Sequence, residues 1–244
     1  MEKIDISDVT FTIPVRIDKD ERLRHLITTV GKIQRDFKTN ILIGELSNRA
    51  TADLRRFCRL NNCGYVYFNT DKPYFHRTKL LNDLARISTT PFIVNMDSDV
   101  AAEPNAIIES VTCLRETAYD IVIPYDGTVI NIIDKKHSIV TSKKACGGVV
   151  FWIRESFFRA GMENENFIDW GFEDNERLSR AKILGLAKRQ LPAYKLYHLN
   201  HSTTENYDGE MLTKYRENNR EELKKIMKME KKELIEYIKT WEWI

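Results

Sequence analysis

The sequence predicts an α/β domain: a mostly parallel central sheet with helices on both faces, followed by a C-terminal helix. Three observations carry that prediction. Strand and helix patterning alternates four times in the front half of the chain. The strand segments are short, continuous and apolar, as strands covered on both faces must be. Polar residues then collect where these segments end, at Arg16, Asp18, Glu45 and Asp97-Ser98-Asp99. In open α/β sheets that edge is where ligands bind.

Residues 9–15 are β-branched and close on Pro14-Val15, which suits the end of a strand. Asp20 is expected to cap a helix in which Leu23, Leu26, Ile27, Val30 and Ile33 recur at helical spacing. Residues 40–46 form the second predicted strand and 51–60 a short second helix. A strand over 65–68, a helix over 77–87 and a strand over 91–96 follow. Pro104 opens a helix over 105–114, and 120–124 is the next strand. The back half is less regular. Residues 126–145 read as loop or short hairpin, and 147–153 returns to strand. Trp170 to Glu176 leads into a helix ended by Gly185, and 194–198 is extended. From about residue 208 the pattern is mainly helical.

Composition narrows the function classes. The chain has 244 residues, 42% hydrophobic and 30% charged, enough to bury a core without disulfides or a structural metal. Its 38 basic and 36 acidic residues leave a net charge of +2, so no nucleic-acid partner is expected. The first residues lack the apolar core of a signal peptide, and no apolar run approaches a membrane span. Cys58, Cys63, Cys113 and Cys146 fit neither a metal-binding spacing nor a disulfide framework, so reduced thiols in a cytoplasmic protein are expected, with a Cys58–Cys63 pair as the alternative. Residues 214–244 hold nine basic and seven acidic side chains, so the excess charge lies entirely in the tail. There Leu223, Ile226, Met227, Leu234, Tyr237, Ile238 and Trp241 share one helical face. Packing of that face on the domain is expected. The competing reading is peripheral contact with a membrane surface, with Trp241 and Trp243 as interface anchors.

Four groups of residues carry chemistry. Asp97 and Asp99 follow an apolar strand, where two carboxylates at i and i+2 can converge on one hard cation and its ligands. His198 and His201 sit three residues apart after another apolar stretch, and imidazole donors favour ions such as Mn²⁺ over Ca²⁺. Glu173-Asp174 open a helix directly after Trp170-Gly171. They suit the positive helix N-terminus, and equally a carboxylate that accepts a hydroxyl proton beneath a mobile Trp loop. Phe75-His76-Arg77-Thr78-Lys79 offers a ring and two cations at a helix start, for a base and phosphates or for an ordinary amphipathic helix.

Together these segments resemble a family. Residues 13–16 (Ile-Pro-Val-Arg), 75–82 (Phe-His-Arg-Thr-Lys-Leu-Leu-Asn), 97–99, 147–149 (Gly-Gly-Val), 170–174 (Trp-Gly-Phe-Glu-Asp) and 198–201 (His-Leu-Asn-His) occur in one order. They are similar to the successive motifs of the beta-1,4-galactosyltransferase group of inverting GT-A glycosyltransferases and their bacterial chondroitin-polymerase-like, family 2-type neighbours. The similarity spans residues 9–205. It implies a GT-A catalytic domain over 1–207 and an amphipathic helical extension over 208–244. It also implies transfer of a hexose or N-acetylhexosamine from a UDP-sugar to a saccharide acceptor, in the synthesis of a bacterial surface polysaccharide. By the same resemblance Pro14, Arg16, Phe75, Arg77, Asp97, Gly148 and Trp170 would bind the donor. Asp99, His198 and His201 would hold the metal, Glu173 the acceptor, and Asp174 would be the catalytic base. His198 stands where the vertebrate enzymes have Met, which keeps Mg²⁺ beside Mn²⁺ as a candidate cofactor. The rival functions are a nucleotide-sugar-binding protein without turnover and a sugar nucleotidyltransferase. The second would want a Gly-rich phosphate loop after the first strand, where residues 14–18 contain no glycine.

Overall fold

The computed structural model describes residues 2–134, 137–201 and 209–244. Strands and helices follow in the order β1 (Ile4–Val15), α1 (Asp20–Asp36), β2 (Phe37–Ser47), α2 (Ala52–Leu60), β3 (Gly64–Asn69), α3 (Arg77–Ile87), β4 (Phe92–Met96), β5 (Val100–Ala102), α4 (Pro104–Glu116) and β6 (Ile121–Ile123). The back half adds β7 (Val129–Ile132), β8 (Ser138–Ser142), β9 (Val149–Ile153), α5 (Arg154–Arg159), α6 (Glu173–Leu184), β10 (Lys188–Gln190), β11 (Leu196–Leu199), α7 (Gly209–Met227) and α8 (Lys231–Lys239).

Seven strands form the main sheet in the order β10-β6-β9-β4-β1-β2-β3, and only β9 runs antiparallel to its neighbours. Successive side chains of a strand point to opposite faces, and the core divides accordingly. Val94, Phe151 and Val122 pack with Leu26 and Val30 of α1, Leu54 of α2 and Ile107 and Val111 of α4. Their neighbours Ile93, Trp152 and Ile121 pack with Ala85 of α3, Phe157 of α5 and Ala181 of α6. The predicted mostly parallel α/β sheet, covered on both faces, is therefore present.

Local chemistry moved several boundaries. Lys19 occupies the cap position of α1, and Asp20 is its first helical residue, where a carboxylate favours the positive end of the helix dipole. Ile27 lies on the exposed side of that helix. Glu45, at the end of β2, faces inward and accepts hydrogen bonds from Thr51 N and Oγ1, Ser47 Oγ and Tyr65 Oη. It therefore caps the start of α2 rather than facing a ligand. The three-residue strands β5 and β10 and the six-residue α5 are too short to leave a periodic signal. All four cysteines are free.

The tail is two helices. Glu230 and Glu233 form a capping box that starts α8 afresh after Met227. Ile226, Leu234, Ile238 and Trp241 are buried together against Ile183 and Leu184 of α6, while Met227 is exposed. Trp241, only 5% exposed, lies under the Arg180 guanidinium and stacks on Trp243. The expected boundary at 207/208 falls outside the described residues. Among those described, no helix is long and apolar enough to cross a membrane.

Candidate active site

A second, four-stranded sheet (β5-β11-β7-β8) brings the predicted metal ligands together. The chain leaves β4 at Met96, passes through Asp97-Ser98-Asp99 and enters β5, which pairs antiparallel with β11. Val100 lies opposite His198 in that ladder, and Leu199 N donates to Asp99 O at 2.7 Å. The pairing sets the Asp99 carboxylate beside both imidazoles. His201 Nε2 is 3.2 Å from Asp99 Oδ2, and His198 Nε2 is 3.7 Å from Asp99 Oδ1. One ligand atom from each of the three residues falls within 4.8 Å of the others. One carboxylate oxygen and two imidazole nitrogens form a donor set suited to Mn²⁺ and neighbouring ions rather than Ca²⁺. The His25 ring of α1 lies 6.5 Å from that of His201, and its buried Nδ1 lacks a hydrogen-bond partner among the described residues. One turn into α1, that histidine carries no motif that a sequence reading could have used.

Asp97 turns the other way. Its Oδ1 accepts from Arg77 at the first turn of α3, at 2.7 Å from both Nε and Nη2. Its backbone N–H donates to Gly148 O at 2.8 Å. Burial pushes the Asp97 carboxyl up against the opposing pull of Arg77, with the nearby Asp99 and Asp174 adding to the rise. Arg77 Nη1 is buried without a partner among the described residues, so this guanidinium keeps a spare donor at the site.

The paired carboxylates at the start of α6 lie across Gly147-Gly148. A Cβ on Gly147 would sit 1.7 Å from Asp174 Oδ2, so only glycine lets that carboxylate approach. Gly148, at φ +79°, lies beside Leu196 and Asp97, and Tyr125 Oη holds the Gly147 carbonyl at 2.7 Å. Asp174 Oδ1 is bound to Arg177 Nη1 at 2.7 Å. Arg177, 1% exposed, also binds Glu163 through Nε at 2.8 and 3.0 Å, and Asn95 of β4 donates to the same Glu163. Glu173 is 6% exposed, and its Oε2 accepts from Gly171 N at 2.9 Å. The two neighbours are driven apart in acidity. Burial and the adjacent Asp174 push Glu173 up to about 7. Burial also acts to raise Asp174, but Arg177 and Arg77 overcome it and hold that group below the usual carboxylate range.

Arg177, Glu163, Asn95 and Tyr125 escaped the sequence reading. Arg177 stands one turn after Asp174, at i+3, which was the available signal for it. The partners Glu163 and Asn95 come from distant segments and carry no local pattern.

The loop before α6 is wound tightly. Asp169, Gly171 and Phe172 have φ of 63°, 115° and 72°, two of them at residues for which that region is costly. Trp170 projects from this loop, 64% exposed, with the Arg216 guanidinium 5.1 Å from its ring. Asn219 of α7, 1% exposed, grips the same loop. Its Nδ2 donates to Ile168 O at 2.9 Å and Gly171 O at 3.1 Å, and its Oδ1 accepts from Ile168 N at 3.2 Å. Arg220 covers Phe172.

The remaining predicted donor residues form a separate group. Pro14 is buried near the end of β1, opposite Gly44. Arg16 donates to Leu46 O, Pro73 O and Lys72 O at 3.1, 2.6 and 3.1 Å, and stands 6.0 Å over the Phe75 ring. Arg16 therefore fastens the segment before α3 that carries Phe75. Lys79 pairs with Asp83 on its own helix.

Comparison with known proteins places this architecture. A family model described as the N-terminal domain of galactosyltransferase matches residues 127–202, which include β7 to β11 and both His198 and His201. A comparison with curated protein sequences gives no match. GalNAc-T7, solved with UDP, GalNAc and Mn²⁺, superposes with a TM-score of 0.61 at 14% identity, over 82% of this chain and 44% of that one. S. aureus TarS gives 0.59 at 12% identity, over 79% and 36%. The mannosyltransferase PcManGT from Pyrobaculum calidifontis, in complex with GDP-Man and Mn²⁺, gives 0.56 at 13% identity, over 82% and 58%. The chain has the GT-A fold. It spans 36–58% of the lengths of these three structures, so the likeness is one of architecture. The Asp99–His198–His201 cluster and the Glu173-Asp174 pair lie on either side of Gly147-Gly148.

Proposed function

We propose that the protein is a metal-dependent inverting glycosyltransferase that moves a hexose or N-acetylhexosamine from a UDP-sugar to a saccharide acceptor. The observation that carries the proposal is the convergence, in one GT-A fold, of a carboxylate–imidazole cluster with an arginine-braced carboxylate pair across two glycines. Neither half alone separates a transferase from a nucleotide-sugar-binding protein. A binding protein has no use for a carboxylate held ionised beside a second one raised towards neutrality.

In this reading Asp99, His198 and His201 would hold a divalent cation, Mn²⁺ or Mg²⁺, which when bound would offset the charge that grows on the diphosphate leaving group. Arg77 supplies a spare donor near the same group. Asp174 accepts the proton of the acceptor hydroxyl as its oxygen attacks C1 of the donor sugar. The C1–O bond to the diphosphate breaks in the same displacement, and the anomeric configuration inverts. Glu173 holds the acceptor, Gly148 and Trp170 border the donor sugar, and Pro14, Arg16 and Phe75 lie on the uridine side. A second reading exchanges the carboxylates: Glu173, raised to about 7, takes the proton and Asp174 orients it. The setting, surface polysaccharide synthesis on the cytoplasmic side of a bacterial membrane, rests on the sequence resemblance.

The test is a UDP-release screen across UDP-sugars, with and without Mn²⁺ or Mg²⁺ and with saccharide acceptors. Metal-dependent release with at least one donor supports the assignment. Nucleotide-sugar binding without release under every condition returns the binding-protein reading.

A further inference from the structure

The metal-site histidines are tied to a part of the fold that the sequence assigned to no function, the β7–β8 hairpin. Strand β7 pairs parallel with β11, and Asn131 is in register with His198. Residues in register on parallel strands point to the same face, so the two side chains are neighbours. Asn131 Oδ1 is 3.0 Å from His198 Nδ1. The other end of the same amide is occupied: Asn131 Nδ2 donates to Asn200 Oδ1 at 3.0 Å. With its NH₂ committed to Asn200, the group that Asn131 turns to the imidazole is an acceptor. In that amide orientation His198 Nδ1 carries the hydrogen. In the neutral ring the lone pair is left on Nε2, which faces Asp99 Oδ1 at 3.7 Å. Two electron-pair donors facing each other at that separation make no hydrogen bond, and a cation between them satisfies both.

We propose that Asn131 is a positioning residue for the metal site: by accepting the Nδ1–H of His198 it fixes the tautomer and ring orientation that present Nε2 beside Asp99. Asn200 acts one step further out, by fixing the orientation of the Asn131 amide. The inference rests on the proposal that Asp99, His198 and His201 hold a divalent cation, and it adds a dependence of that site on the hairpin. Partners on the far nitrogen of a ligating histidine typically alter metal affinity by about 10–100-fold when removed.

The experiment has two readouts, and neither needs turnover. Long-range ¹⁵N–¹H spectra of the full chain, with its five histidines, report which ring nitrogen of His198 carries hydrogen; Asn131 requires Nδ1–H and unprotonated Nε2. Titration with Mn²⁺ alone, followed by the electron spin resonance of the free ion, gives affinity. Asn131→Leu, which keeps the volume and removes the acceptor, weakens Mn²⁺ binding about 10–100-fold and mixes the tautomers. Asn131→Asp, which restores an acceptor, returns His198 to the Nδ1–H form. Wild-type affinity in Asn131→Leu, or a wild-type ring protonated at Nε2, overturns the role of Asn131 while leaving the metal site standing. If wild type and Asp99→Ala bind Mn²⁺ equally weakly, the metal site itself fails, and the tautomer spectrum still decides the orientation claim.

Discussion

The two halves of the site are built on opposite electrostatic plans. At the metal end, Asp99 is met by two imidazoles that compensate its charge only when protonated, in a geometry that leaves Nε2 of His198 without a hydrogen bond to the carboxylate. At the base end, Asp174 is already bound to a buried arginine, and that arginine to a buried glutamate. The proposed metal end thus has donors that a cation from outside would complete, whereas the proposed base end is finished by the fold. Ligand supply should control the first half, and loss of a single internal partner should damage the second.

The largest effect expected from that contrast is on the chemical step. Asp174→Asn removes the proposed base while keeping the shape that Gly147 accommodates, and transfer falls about 10²–10⁴-fold with UDP binding nearly unchanged. Near-normal turnover in this variant moves the role to Glu173. The pH profile separates the two. A Glu173 base must be ionised to work, so kcat/KM falls as pH drops through about 7, and Glu173→Gln abolishes that limb. With Asp174 as the base, its pKa held low by Arg177, the limb lies below the ordinary aspartate range instead.

Next in size is the brace itself. Arg177→Ala strips the buried Glu163 and the half-buried Asp174 of their shared cation. Breaking a buried ion pair by removing one partner costs about 3–5 kcal/mol. The urea midpoint of unfolding should fall accordingly. Arg16→Ala, whose guanidinium hydrogen-bonds to neutral backbone carbonyls at a partly exposed position, should lower it less. Equal losses would mean that the base end is not the more internally dependent half.

The same contrast explains what could be read from the sequence. Asp97, Asp99, His198 and His201 fall in two short motifs, each at the end of an apolar stretch, so residue type and spacing revealed them. Glu173-Asp174 were legible because they open a periodic helix after Trp-Gly. The partners that give these groups their properties were not. Asn95 lies inside β4, where a polar residue breaks no pattern. Glu163 lies between α5 and α6 in irregular chain, and Asn131 lies in a segment read only as loop or hairpin. Strand β5, three residues long, pairs Val100 with His198 and so sets the preceding Asp99 beside that ring, yet it is shorter than one helical turn of sequence pattern. The tail was legible as an amphipathic face. Its division at Glu230 and its grip on the Trp170 loop were not, because both depend on side-chain hydrogen bonds.

That grip offers a smaller test of whether the base end is finished by the fold. Asn219 is buried and makes three hydrogen bonds to the loop backbone, so Asn219→Ala leaves those groups unsatisfied at a cost of about 1–3 kcal/mol. Amide exchange at Ile168 and Gly171 should quicken together, and acceptor KM should rise more than donor KM. Unchanged exchange at both amides would show that the loop holds its shape without α7.

The smallest effect should come from Arg216, whose guanidinium lies 5.1 Å from the exposed Trp170 ring. A cation–π contact at such a position is worth about 0.5–1 kcal/mol, a two- to fivefold change in an equilibrium. Arg216→Ala should therefore shift Trp170 fluorescence and its response to UDP-sugar without altering the global unfolding midpoint. Of the two contacts from α7, the Asn219 bonds set the backbone of the loop, and the Arg216 contact biases one side chain on it. If Arg216→Ala slowed transfer as much as Asn219→Ala, the ring rather than the backbone would be what α7 controls. The base end would then share with the metal end a part that completes itself only when a ligand arrives.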